Sequence, residues 1–321
     1  MDVNEMLKNV KAECKPITNI DSIIIRLLDR GQKVIASSKR FSWLRFTGLS
    51  FPTVSGVMDY ALSPLVDTSR IITMYDSAQT IHIRNISETE FRTVEPGPTD
   101  TGDSYVYRLI GYSPVQYQPT SASVLTFVSS STADTTQTIS VQGFDASSIL
   151  QTEVITLNGT TPVLTTASFT RVLSLSKSDF TTGKVTVTSN AGAVTNVVIS
   201  AYNRAVTHPV VSLYSIPGGV HTIYYDFDIA LPSLKVGTDI SLIPEKYHDV
   251  IELYAKYNVF KHINNTNMSQ IVQGEYQFRI NQMMEDDKRP FGVHTLNDVR
   301  GNSTIPTGTL GPNFPNNGSG F

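Results

Sequence analysis

A single cysteine, Cys14, stands in this chain, so no internal disulfide can form and nothing in the composition calls for an oxidising compartment. Tryptophan is equally scarce. Trp43 sits where a helical pattern gives way to a strand pattern, and it reads as a core anchor rather than a ligand platform. No apolar run approaches the length of a membrane span, and the start Met-Asp-Val-Asn-Glu-Met-Leu-Lys carries early acids unlike a signal peptide. These absences predict a soluble protein made in a cytoplasm, without a membrane partner. Neither sign of charge dominates. A net charge of -3 and a pI near 6.1 argue against a dedicated nucleic-acid binder, whose phosphate contacts need clustered Lys and Arg.

Catalytic signatures are missing as well: there is no Gly-X-Gly-X-X-Gly, phosphate loop, Gly-X-Ser-X-Gly or His-Glu-X-X-His. The histidines (His82, His208, His221, His248, His262, His294) are scattered without metal-ligand spacing, and one cysteine cannot make a thiolate zinc site. His248-Asp249 opens a helical pattern, but adjacent helical residues do not face each other. Glu285, Asp286 and Asp287 precede Lys288-Arg289 and read as a solvated helix end. Nothing here supports nucleophilic or acid-base catalysis, so no enzyme, cofactor or metal is expected.

What the chain does have is a helical hairpin from Pro244 to Asp287. Pro244 suits a first helical position, and Glu245 and Asp249 place negative charge near the positive end of the helix dipole. Tyr247, Ile251, Tyr254, Asn258 and Lys261 step along one face, with Val250 and Tyr257 beside it. Asn264-Asn265-Thr266-Asn267 ends this helix and can cap the next, where Met268, Val272, Tyr276, Ile280 and Met283 form a second stripe. A partner for the hairpin lies near the N-terminus. Val3, Met6, Leu7 and Val10 predict a short helix, and Thr18 with Asp21 predicts a capping box for a longer one lined by Ile20, Ile24, Leu27, Leu28, Gly31 and Ile35. The first 45 residues hold nine basic side chains against five acids, and Arg26, Arg30 and Lys33 could face DNA, although a solvated helix surface is the plainer reading.

Short strand patterns follow Trp43, among them Phe51 to Tyr60, Arg70 to Tyr75, Thr80 to Ile83 and Tyr105 to Ile110. From Gln118 to Ala205 only eight of 88 residues are charged, about half the density of the whole chain, where 17% are. Ser, Thr and Val alternate there in roughly seven short strands, with Asn158-Gly159 a strong two-residue hairpin signal and Thr182-Gly183 and Ala191-Gly192 as further turns. That pattern indicates an immunoglobulin-like sandwich without the cysteine pair of antibody domains. Strands resume at Val210 to Tyr214 and His221 to Ile229. The expected organisation is therefore a base domain split into 1–117 and 206–296, a sandwich inserted at 118–205, and an extended tail at 297–321.

The order of these patterns resembles a known family. A helix leading to Phe41-Ser42-Trp43-Leu44, then Gly56-Val57-Met58-Asp59-Tyr60-Ala61-Leu62-Ser63-Pro64, Tyr105-Val106-Tyr107-Arg108-Leu109-Ile110-Gly111, and Leu242-Ile243-Pro244-Glu245-Lys246-Tyr247-His248-Asp249 is similar to the head-to-tail adaptor and neck proteins of tailed bacteriophages. The insert resembles the immunoglobulin-like modules of phage virion proteins through Thr156-Leu157-Asn158-Gly159-Thr160-Thr161 and Gly183-Lys184-Val185-Thr186-Val187-Thr188. The resemblance implies an α+β fold, a helical collar with a small β-sheet region plus the inserted all-β sandwich. It also implies a virion protein of the neck, assembled as a ring homo-oligomer on the portal protein, touching the next neck or tail protein, with genomic DNA passing through.

Tyr247, Tyr254 and Tyr257 offer aromatic area for a contact between copies, or equally for the chain's own core. The tail, with Phe314 and Phe321, offers an extended segment that could add to a neighbour. A second reading makes the sandwich the working part, binding host-surface glycans or decorating the neck or tail. Its aromatic residues are Phe127, Phe144, Phe169, Phe180 and Tyr202, most of them at strand positions that should be buried.

Overall fold

The computed structural model describes residues 1–14, 20–76, 81–94 and 100–288. Two helices open the chain, α1 (Val3–Glu13) and α2 (Asp21–Ser38). Asp2 caps α1 by accepting the Glu5 N–H at 2.8 Å. The predicted capping residue Thr18 lies outside the described residues. Ile24, Leu28 and Ile35 are buried on α2 at the expected spacing. At the other end of the chain a 3-10 turn, Glu245–Tyr247, follows Pro244 and leads into α4 (His248–His262), after which α5 (Thr266–Lys288) returns. Asn265 accepts the Met268 N–H at 3.2 Å and so starts α5 as its type predicts. One apolar core joins α1, α2, α4 and α5, with α4 at its centre. Even two charged residues of α4, Glu252 and Lys256, are buried there, partnered by Asn9 at 2.8 Å and Glu13 at 2.6 Å.

Between the helices run β1 (Arg45–Pro52), β2 (Asp59–Ala61), β3 (Val66–Asp76), β4 (Ile81–His82), β5 (Arg84–Asn85), α3 (Glu88–Val94), β6 (Thr101–Gly102) and β7 (Val106–Ser113). The insert follows with β8 (Ser123–Ser129), β9 (Thr138–Phe144), β10 (Leu150–Thr156), β11 (Val163–Phe169), β12 (Arg171–Lys177), β13 (Val185–Ser189) and β14 (Val194–Ile199). The remaining strands are β15 (His208–Tyr214), β16 (Ile216–Pro217) and β17 (Thr222–Ile229). Outside the insert, one sheet has the order β1-β17-β3-β4 and another β2-β15-β7-β5. The two share a core in which Phe51, Met74, Tyr225 and Phe227 of the first meet Tyr60, Val211 and Leu213 of the second.

This corrects the expected architecture. Of the described residues about 38% are in strands and 30% in helices, the strands mostly in several small antiparallel sheets, and this is not a helical collar with a small β-sheet region. The reason is long-range pairing. β17 zips between β1 and β3, strands roughly 150 to 180 residues earlier in the chain, and so turns short isolated patterns into a continuous sheet. Phe51 to Tyr60, expected as one strand, is two, with Gly56 in the turn between them at φ +78°.

The insert's seven strands form two sheets, β10-β9-β12 and β11-β8-β13-β14, over a core that includes Phe127, Val141, Phe169 and Val187. The turn predicted at Asn158-Gly159 falls one residue later: Asn158 bridges Thr161, and Gly159 takes φ +58°. It joins β10 and β11 across the two sheets instead of within one ladder. The insert leaves and rejoins the base where Ser113 pairs with His208, at the end of the β7–β15 ladder. Trp43 stacks on Phe41 with ring centroids 5.1 Å apart and packs against the helical core.

Candidate functional site

α5 is amphipathic in an unusual way. Val272, Tyr276, Ile280 and Met283 are buried on α4, as their three- and four-residue spacing predicts. The opposite side is not wholly polar: Ile271 is 50% exposed and Phe278 65%, with Met268 flanking them. Gly274 lies between, with open space in front of its α-carbon. Glu275, Asn281 and Gln282 rim this line and are exposed. Exposed apolar side chains aligned on one helix face, with a polar rim, are the kind of surface that a protein partner can cover. The signal for it was present in the sequence, as two apolar residues seven apart and out of phase with the buried stripe.

α2 presents the second notable face. Arg26 and Arg30 are exposed opposite its core side, and neither has an ion-pair partner among the described residues. Lys33 shares that face but is engaged, donating to Asp29 at 2.7 Å and to the Ser233 hydroxyl at 2.7 Å. The three residues expected to face DNA are thus together on one surface, with the charge of one already compensated.

The predicted interface tyrosines are placed differently. Tyr247 and Tyr254 are buried, and Tyr257 is partly buried against the same core. The Tyr247 hydroxyl donates to Asp286 at 2.8 Å, and the Tyr254 ring meets Tyr276 edge-on at 5.7 Å. Their aromatic area is used to hold α4 to α5 and α2. Phe314 and Phe321 lie outside the described residues, as does the whole expected tail.

The polar pairs of the sequence separate. His248 is buried with its Nε2 2.8 Å from the Ile243 carbonyl, whereas Asp249 turns away and accepts from Arg279 at 2.6 Å. Glu285, Asp286 and Asp287 point to three different partners: Lys288, Tyr247 and Ser42. Burial would raise the Asp287 carboxyl, but donation from Ser42 and Lys39 holds it below the usual carboxylate range. Among the described residues no three His, Cys, Asp or Glu side chains are grouped to hold a metal. In the insert, Phe127 and Phe169 are buried, while Phe180 and Tyr202 are 44% and 50% exposed. Arg204 lies 5.5 Å from the Phe180 ring and pairs with Asp179 at 3.2 Å.

No family model and no curated protein matches this chain. The geometry itself therefore carries the functional argument. It offers surfaces suited to binding: the exposed apolar residues of α5, the guanidinium pair of α2 and the exposed rings of Phe180 and Tyr202 in the insert. No helix among the described residues is long and apolar enough to cross a membrane.

Proposed function

We propose that this chain is a non-catalytic assembly protein of a virion, acting as a head-to-tail adaptor between a portal ring and the tail, as its resemblance implies. The observation that carries this reading is the uncovered outer line of α5, where a phenylalanine 65% exposed and an isoleucine 50% exposed stand on a rigid helix. A connector needs such a surface, because it works by being covered on assembly, and apolar area removed from water stabilises a contact by about 25 cal/mol per Å². The test is stoichiometric. The purified protein, co-sedimented with portal rings of the same virus and weighed by native mass spectrometry, should bind at one copy per portal subunit. Absence of binding would refute the adaptor role.

A second reading rests on the exposed Phe180 and Tyr202, with Asp179 and Arg204 beside them, a composition suited to stacking on and hydrogen-bonding a sugar. Here the insert would recognise host-surface glycans. Retention of the protein on a glycan array, lost in Tyr202→Ala, supports it; no retention on any glycan removes it.

A further inference from the structure

We propose that the outer face of α5 on one copy of this chain docks head to tail on the outer face of α2 on the next copy. The proposal rests on the assembly reading and names the surfaces that make it. α4 packs against both α2 and α5, so the two outer faces are different surfaces of one molecule, as a heterologous contact requires.

Charge selects the partner face. Two α5 faces meeting symmetrically around Gly274 would bring Glu275 of each copy close together inside an apolar contact, and like charges there are unfavourable. The α2 face has the opposite charge. Arg26 and Arg30 lie one turn apart, about 6 Å along the axis, and point away from the core occupied by Ile24, Leu28 and Ile35. Their aliphatic stems can cover Ile271, a guanidinium can lie on the Phe278 ring, and Glu275 supplies a carboxylate for the other. Val34, 37% exposed, extends the same side of α2 with apolar surface. Nucleic acid fits this face less well. With Lys33 held by Asp29, two uncompensated cations remain, whereas a phosphate track needs a longer row, and the whole chain carries a net charge of -3.

The experiment is sedimentation velocity of the full-length protein over a wide concentration range, on wild type, Phe278→Asp, Glu275→Arg and Arg26→Glu/Arg30→Glu. Wild type should self-associate, and each variant should weaken association about tenfold or more, the loss of roughly one buried charge or anchor. Combining Glu275→Arg with Arg26→Glu/Arg30→Glu should recover most of it. All of these side chains are exposed, and matching circular dichroism spectra verify that the folds are intact. A wild type that stays monomeric, variants that associate like wild type, or a failed charge-swap rescue would each overturn the proposal. So would an Arg26→Glu/Arg30→Glu variant that associates normally and loses a mobility shift on duplex DNA, which would make α2 a nucleic-acid face. Portal co-sedimentation separates the two readings: wild type that binds portal rings but fails the charge swap leaves the adaptor role standing and removes this interface.

Discussion

Gly31 sets how closely α2 approaches α4. A Cβ there would lie 2.9 Å from Cδ1 and 3.3 Å from Cγ of Tyr254, near the base of a ring that is itself fixed against Tyr276. Alanine would gain up to about 1 kcal/mol of helix propensity over glycine, but overpacking a buried contact costs about 1–3 kcal/mol. The clash outweighs the propensity. Gly31→Ala is expected to lower stability by about 1–2 kcal/mol by urea unfolding, and a stabilised variant would show that the two helices can part at this point. In the insert, Asp134 is fully buried and accepts the N–H groups of Thr182 at 2.7 Å and Gly183 at 2.9 Å besides the Ser129 hydroxyl. Burial alone would raise its carboxyl, and these donors hold it below the usual range. Its contribution to stability is complete above an unfolded value of about 4 and is lost as pH falls through the folded value. Lys177 titrates with the opposite consequence. Burial pushes its ammonium down to about 8, offset in part by Asp134. An unfolded lysine releases its proton at about 10.4, so between these values the unfolded chain binds more protons and stability rises with pH. Urea midpoints should increase from pH 8 to 10 in wild type more than in Lys177→Met; an identical pH response in both would remove Lys177 as the source.

At the scale of elements, the two sides of α5 make opposite predictions. Tyr276 is buried between α4 and α5, and truncating an aromatic ring in a core costs about 3–5 kcal/mol. Phe278 is mostly exposed, so Phe278→Ala should change stability by less than about 0.5 kcal/mol while weakening any contact made through that face. Thermal unfolding of the two variants checks this directly, and a large loss in Phe278→Ala would mean that the ring is already covered within the chain. The buried stripe of α5 was legible in the sequence because its period is local. Burial around most of α4 was not. Glu252 and Lys256 mark a solvated face by residue type, and the partners that let them be buried, Asn9 and Glu13, lie about 240 residues away in α1. The same limit explains the fold class. Each strand of the outer sheets shows in its Tyr, Phe and Val pattern, but how many assemble depends on β17 reaching back to β1 and β3, and no local period reports that. The tyrosines of α4 were ambiguous for a related reason, since aromatic area on a helix serves a core or an interface equally until its neighbours are known.

At the scale of the whole molecule, the chain has separate apolar cores in the helices, in the outer sheets and in the insert. The insert's attachment is compact. Ser113 and His208, its flanking residues, are paired partners at the end of the β7–β15 ladder, so the insert stands where a short hairpin turn would close the two strands. Beside that ladder end, β12 of the insert lies against β7 of the base, and a few hydrogen bonds join the two. The Gln118 side chain, held within the insert by the N–H and the carbonyl of Val172 at 2.8 and 3.1 Å, donates through its amide to Ser113 of the base. On the opposite side Lys235 donates to Asn203 at 2.8 Å and to the Tyr202 carbonyl at 3.3 Å. Replacing 114–207 by Asn-Gly should therefore leave a folded base, because a type I′ turn continues the register already present at Ser113 and His208 and no side chain of the helical core is removed. Calorimetry should then show the full chain unfolding in more than one transition, one of which is absent from the shortened chain, while Trp43 fluorescence reports the same environment in both. A shortened chain that fails to fold would show that the insert's packing, and not only the β7–β15 ladder, holds the outer sheets together, and the split-domain organisation would have to be given up.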